Sequence, residues 1–222
     1  MLCVDGFAIG AVAFDMDGLM FDTEKLAHEL WTAAGLKNGW EIRPEILMRL
    51  VGQSGPAGRR LMAEAYGTEF PYDAIRASRL DLEAAYFRDK EVPLKTGLLD
   101  LLSFFESKHV PMAVATSTAR YRVMPLLRKA GIFGRFAFVI CGDEVEKTKP
   151  DPEIYLKAAA RLGVEPGSCL VLEDSLAGIA AAHAAGAIPV MIPDLVGPDK
   201  ATRSRAAREF TDLGKVRSWL VQ

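Results

Sequence analysis

From Gly97 to Ile192, short apolar runs alternate with stretches of helical periodicity, and this alternation constrains the fold more than any other feature of the chain. A helix over 98–108 leads into a strand over 111–115. A helix around 124–129 has Pro125 in its first turn and ends at Gly131; a strand over 136–141 follows. Asp151 caps a helix that starts at Pro152 and runs to Leu162, with Gly163 as its stop. A strand over 169–172, a helix over 176–185 and a strand over 188–192 complete the series. Strands that alternate with helices pair in parallel through right-handed crossovers. The pattern predicts an α/β fold, with a parallel sheet flanked by helices.

Between the first apolar run, Ala11–Phe14, and this series lies a block with no strand pattern. Thr23 is placed to cap a helix with Leu26, Leu30, Ala33 and Ala34 at helical spacing, which Gly35 and Gly39 interrupt. Further helical segments cover 44–51, 56–66 and 72–89, bounded by Gly52, Gly55, Gly67, Pro71 and Pro93. The expected organisation is a core of residues 1–22 and 94–222 with an all-helical insert over 23–93. The charged tail from Arg203 ends in Trp219-Leu220-Val221, expected to dock on the core.

The chemistry-bearing residues fall where the predicted strands end. Ala11–Phe14 runs into Asp15-Met16-Asp17-Gly18, two carboxylates one residue apart beside a glycine. Open α/β sheets bind ligands at the carboxyl ends of their strands. Two acids this close hold one proton between them unless a cation or hydrogen bonds compensate, which suits a site needing a metal, a nucleophile and a general acid/base. Asp and Gly are also ordinary turn residues, so the pair decides little alone. A second run ends in Thr116-Ser117-Thr118. Lys147-Thr148-Lys149-Pro150-Asp151-Pro152 follows in a loop, and a third run ends in Glu173-Asp174-Ser175, then Gly178. A strand-end threonine is usually structural and a loop lysine usually solvated. Four such features in this order are not coincidence.

Together these motifs resemble the haloacid dehalogenase-like phosphohydrolases, over most of the chain from about Val12 to about Pro193. Asp15-Met16-Asp17-Gly18 resembles the family's first motif, Thr116 its second, Lys149 beside Pro150 its third, and Glu173-Asp174 its fourth. Gly178 and Gly186 resemble the branch that holds β-phosphoglucomutase and sugar-phosphate phosphatases. The resemblance implies a Rossmann-like core with the helical insert as a cap that closes over the catalytic edge. It implies Asp15 as nucleophile toward phosphorus and Asp17 as general acid/base. Thr116, Ser117 and Lys149 would bind the substrate phosphate. Mg2+ is the implied cofactor, with Asp15, Asp17 (through its backbone carbonyl), Asp174 and Glu173 as its candidate residues; Glu173 is either a ligand or an acceptor orienting Lys149 or a metal-bound water. Hydrolysis of a small phosphate monoester, a sugar phosphate by resemblance, is the expected activity. The alternatives are a phosphosugar mutase and a phosphate-binding protein without turnover. The mutases carry a cap arginine where Gly55 falls here, and their helix histidine falls at Ala27, one residue before His28. In the same stretch Gln53 or Ser54 is expected to reach substrate. Asp22 is expected to cap the first helix, and Arg59 and Arg60 to meet water.

Composition narrows the partners. Lys and Arg number 27 against 29 Asp and Glu, a net charge of −2, so no basic surface argues for nucleic acid or an anionic membrane. The first residues are apolar but carry Asp5 and no basic leader, so no signal peptide is expected, and the stretch is too short to span a bilayer. Cys3, Cys141 and Cys169 are odd in number and far apart, which reads as reduced thiols in a cytoplasmic protein. His28, His109 and His183 have no transition-metal spacing. The expected partner is a small phosphorylated metabolite, with a monomer favoured.

Overall fold

The computed structural model describes residues 1–50, 55–195 and 197–222. The chain divides into two compact units, one formed by Met1–Asp22 with Pro93–Gln222, the other by Thr23–Val92.

The first unit opens with an antiparallel hairpin, β1 (Leu2–Val4) and β2 (Phe7–Ile9). Asp5 and Gly6 close it with φ of 47° and 82°, the two positive values of the type I′ turn that fits the strand twist. Asp5 Oδ2 accepts from Trp219 Nε1 at 2.7 Å and from Arg208 at 2.8 Å. The expected strand series does not include this hairpin. β3 (Ala11–Phe14) follows and is buried along its whole length.

The second unit is helical: α1 (Glu24–Lys37), α2 (Pro44–Leu50), α3 (Gly55–Tyr66) and α4 (Tyr72–Asp89). It has its own core, which includes Ile46, Leu47, Met62, Phe70 and Ile75, with Trp40 edge-on to Phe70 at 5.1 Å. Gly35 does not interrupt α1. A Cβ there would lie 2.8 Å from Ile42 and from the Trp40 carbonyl, so the glycine serves close packing against the returning chain. Thr23 stands at the N-cap without a side-chain capping bond, and Asp22 accepts instead from Lys95. Gln53 and Ser54, the expected substrate contacts, lie outside the described residues, as does Val51, the expected end of α2.

The first unit resumes with α5 (Leu98–Ser107), β4 (Met112–Ala115), α6 (Arg120–Lys129), β5 (Phe138–Ile140), α7 (Glu153–Leu162), β6 (Cys169–Glu173), α8 (Leu176–Ala184), β7 (Ile188–Met191), α9 (Lys200–Arg205), β8 (Arg208–Glu209) and α10 (Leu213–Leu220). Six strands form one parallel sheet in the order β5-β4-β3-β6-β7-β8. β3, β4, β6 and β7 are buried on both faces, as parallel strands covered by helices are. Phe14 packs edge-on against Phe105 and Phe136.

Besides shifts of one or two residues at several element ends, three details differ from expectation. α6 begins at Arg120, with Pro125 in its interior; the Arg120 amide donates to Asp143 at 3.1 Å and the guanidinium to Glu144, so side chains anchor the start ahead of the proline. Pro152 is the N-cap of α7 rather than its first residue, while Asp151 Oδ1 accepts from the Glu153 amide at 3.1 Å. In the tail, Trp219 and Leu220 are buried but Val221 is exposed. Among the described residues, no helix is long and apolar enough to cross a membrane.

Candidate active site

β3 lies between β4 and β6, where the strand order changes direction, and ligand crevices of open α/β sheets form at that point. Phe14 is in register with Leu172 of β6 and Val114 of β4, so Asp15 emerges level with Glu173. The Asp15 amide donates to the Leu172 carbonyl at 3.0 Å, and that of Thr116 to Ile140 at 3.1 Å. Backbone pairing thus fixes three strand ends, and the Lys149 loop, whose Lys149–Pro150 peptide is cis, completes the set.

Lys149 is the hub. Its side chain is 6% exposed, and Nζ donates to Asp15 Oδ1, to Glu173 Oε1 at 2.7 Å and to the Ala115 carbonyl at 3.1 Å. The ammonium also stands 4.9 Å from the centre of the Tyr155 ring, within cation–π range. Lys147, the other lysine of this loop, is exposed.

Glu173 and Asp174 are neighbours with different tasks. Glu173 is fully buried. Its Oε1 accepts from Lys149 and from Tyr155 Oη at 2.6 Å; its Oε2 accepts from the Ser175 amide at 3.0 Å and hydroxyl at 2.9 Å. Burial pushes its carboxyl up, but the Lys149 charge and these hydrogen bonds outweigh it and hold Glu173 below the usual range. Gly178 makes room, since a Cβ there would stand 1.7 Å from Oε1. Asp174 has the opposite balance. Burial, with the charges of Glu173 and Asp15 adding to it, raises its carboxyl well above the usual range. Its Oδ2 lies over Gly18, where a Cβ would stand 2.2 Å away and where φ is 81°, so a glycine is required on both counts.

Asp15 is buried, and burial lifts it to about 7; Glu173 and Asp17 add to the rise and Lys149 opposes it. Asp17 is held from the other side, accepting from Thr118 Oγ1 at 2.7 Å and Thr116 Oγ1 at 3.3 Å. The Thr116 hydroxyl also accepts from the Thr118 amide at 3.0 Å, so it steers Asp17 as well as facing the strand end. Ser117 is exposed beside it.

One oxygen each from Asp15, Glu173 and Asp174 lie within 4.8 Å of one another. One buried lysine faces these three carboxylates, so the group carries excess negative charge that a hard cation with oxygen ligands would neutralise. This arrangement fits Mg2+. A second acid-and-thiol group, Cys141, Asp143 and Glu144, is less suited: Glu144 is paired with Arg120, and burial pushes the Cys141 thiol up to about 12.

Asp15, Asp17, Thr116, Lys149, Glu173 and Asp174 therefore meet at one sheet edge. Sequence reasoning missed Thr118 and Tyr155. Thr118 lies two residues past Thr116 in the same hydroxyl run, and Tyr155 lies on the first turn of α7, three residues beyond Pro152.

A family model for haloacid dehalogenase-like hydrolases matches residues 9–186. The chain belongs to this family. It is 33% identical over 178 residues to the phosphorylated carbohydrates phosphatase of Thermotoga maritima, covering 79% of this chain and 81% of that protein. It is 32% identical over 178 residues to the N-acetylmuramic acid 6-phosphate phosphatase of Pseudomonas putida, covering 79% of each. Among solved structures, a CbbY variant of Rhodobacter sphaeroides in complex with xylulose-(1,5)bisphosphate superposes with a TM-score of 0.81 and 26% identity, over 93% of this chain and 96% of that one. This haloacid dehalogenase-like chain is a hydrolase.

Proposed function

We propose that this hydrolase cleaves a small phosphate monoester of the sugar-phosphate class, with Asp15 as nucleophile. The observation that carries the reading is Lys149, buried between Asp15 and Glu173 at the edge where Asp17 is oriented by two threonines.

Asp15 attacks phosphorus through a carboxylate oxygen, the ester P–O bond breaks, and an aspartyl phosphate forms. Asp17 gives its proton to the leaving alkoxide. It then takes a proton from the water that attacks the aspartyl phosphate, releasing inorganic phosphate and restoring Asp15. Lys149 sets a fixed positive charge against Asp15 and the transferring phosphoryl group. The amides and hydroxyls of Thr116 and Ser117 are offered to phosphate oxygens. Asp15 and Asp174 would hold Mg2+, which supplies the positive charge that lets Asp15 stay ionised beside a dianionic ester. Glu173 already accepts four donors, so its task is to orient Lys149. The helical unit would supply substrate selection, and the sugar-phosphate class rests on the two phosphatase relatives.

The test is phosphate release over a panel of small phosphate monoesters, with Mg2+ and with EDTA. Magnesium-dependent release concentrated on sugar phosphates is expected. Silence across the panel, with bisphosphate-dependent turnover of β-glucose 1-phosphate, would replace the phosphatase with a mutase.

A further inference from the structure

A further acid stands beside the cluster and has no place in the chemistry above. Asp194 follows β7, and its side chain is 10% exposed. Oδ1 accepts from Lys95 Nζ at 2.6 Å. Oδ2 is buried and has no hydrogen-bond partner among the described residues. It is aimed at the cluster, since it lies 3.4 Å from the point where a Gly18 Cβ would stand, and Asp174 Oδ2 lies 2.2 Å from that same point.

Both ends of this arrangement are fixed. The amide of Ile192, two residues before Asp194, donates to the Glu173 carbonyl at 2.7 Å. The Lys95 amide donates to Met20 and the Asp22 amide to Pro93, both at 2.9 Å, so Lys95 is tied by its backbone to the turn after Asp17. Lys95 also reaches Asp22 Oδ1 at 2.9 Å. Lys95 Nζ supplies a donor to Oδ1 alone, and the acceptor positions of Oδ2 are left over. A buried acceptor with no donor is unfavourable unless a ligand brings one.

Asp194 is outside the group of three acids that lie within 4.8 Å of one another, so a direct bond to a cation held by Asp15 and Asp174 is not its natural role. Magnesium keeps several of its waters, and each water is a donor that needs an acceptor. Acceptors of this kind orient a metal's ligands and tune its affinity. Resting on the magnesium reading above, we propose that Asp194 is a positioning residue of the metal centre, its Oδ2 accepting a hydrogen bond from a water on the cation and its Oδ1 clamped by Lys95.

The test is calorimetric titration of Mg2+ into the EDTA-stripped full chain, with folding checked by circular dichroism. Asp194→Asn should weaken Mg2+ binding about tenfold. Asp22→Asn removes the other arm of the same lysine and should stay within about twofold of wild type. Should Asp194→Asn fail to fold because Lys95 is left half-paired, the double variant Lys95→Met with Asp194→Asn removes both charges and should show the same loss. Wild-type affinity in a folded Asp194→Asn or double variant overturns the proposal alone. So does a loss in Asp22→Asn as large as that in Asp194→Asn. No Mg2+ binding by the wild type overturns the metal reading and the proposal together.

Discussion

One ion pair of the helical unit and one ion cluster of the α/β unit stand in opposite environments. In the helical unit Arg59 meets Asp73 at the surface, with side chains 56% and 67% exposed, over a core of aliphatic and aromatic groups. In the α/β unit Lys149 joins Asp15 and Glu173 with side chains 6%, 10% and 0% exposed. The exposed pair is screened by solvent and contributes little. The buried set bears a desolvation cost that its mutual attraction barely offsets. A chain selected for stability alone would put apolar groups at the end of β3, as it does along the strand. That it buries two acids and a lysine at the strand ends instead marks the candidate site.

The comparison breaks most sharply at Asp15. Asp15→Asn should lower phosphate release by roughly 10³-fold or more while the circular dichroism spectrum stays as in wild type; undiminished turnover would remove the nucleophile from the mechanism. Lys149→Met should come next, leaving Glu173 and Asp15 buried without their cation. Urea unfolding should show a loss of about 3–5 kcal/mol, together with loss of activity; a stability unchanged from wild type would mean the cluster is not the strained part of the unit.

A pH series sharpens the same contrast. The folded-state Asp15 carboxyl sits at about 7, above its unfolded value of about 4. Across that window the folded protein holds a proton that the unfolded chain has released. The contribution of Asp15 to stability is therefore full below about pH 4 and lost as pH rises through about 7. In EDTA, Asp15→Asn should gain on wild type in urea unfolding through this window and level off above it. A constant difference would show that Asp15 is not raised. The smallest effect belongs to the helical unit, where Asp73→Asn should cost less than about 1 kcal/mol and fade with added salt.

Much of the site was legible before any coordinates. Three apolar runs stop at an acid or hydroxyl, and β-pairing brings strand ends together whatever their distance in sequence. The β3–β6 register aligns Phe14 with Leu172 and so sets Asp15 beside Glu173 across more than half the chain. A short-range feature was also readable: Gly163, the expected stop of α7, ends it with φ of 74°, whereas the cap of α8, Ser175 accepting from the Gly178 amide at 3.0 Å, was not among the readings. The hairpin at Asp5-Gly6 carried its signal too, an Asp-Gly pair between apolar residues.

Two misread positions share a cause. Pro125 pointed to a helix starting near it, but Asp143 and Glu144 anchor α6 at Arg120 through contacts more than twenty residues away. Gly35 looked like a breaker because nothing local shows the Ile42 side chain packed against it. What the sequence by itself determined is the inventory: which strands are apolar enough to be buried, and which charged groups their ends must carry. What only the tertiary structure decided is how the charge is shared among neighbours. Glu173 and Asp174 are adjacent carboxylates of similar chemistry. Yet Glu173 receives Lys149, Tyr155 and both donors of Ser175, while Asp174 faces Gly18. A carboxylate's task follows from its donors, and two of those of Glu173, Tyr155 on α7 and Lys149 in its loop, are brought to it only by folding.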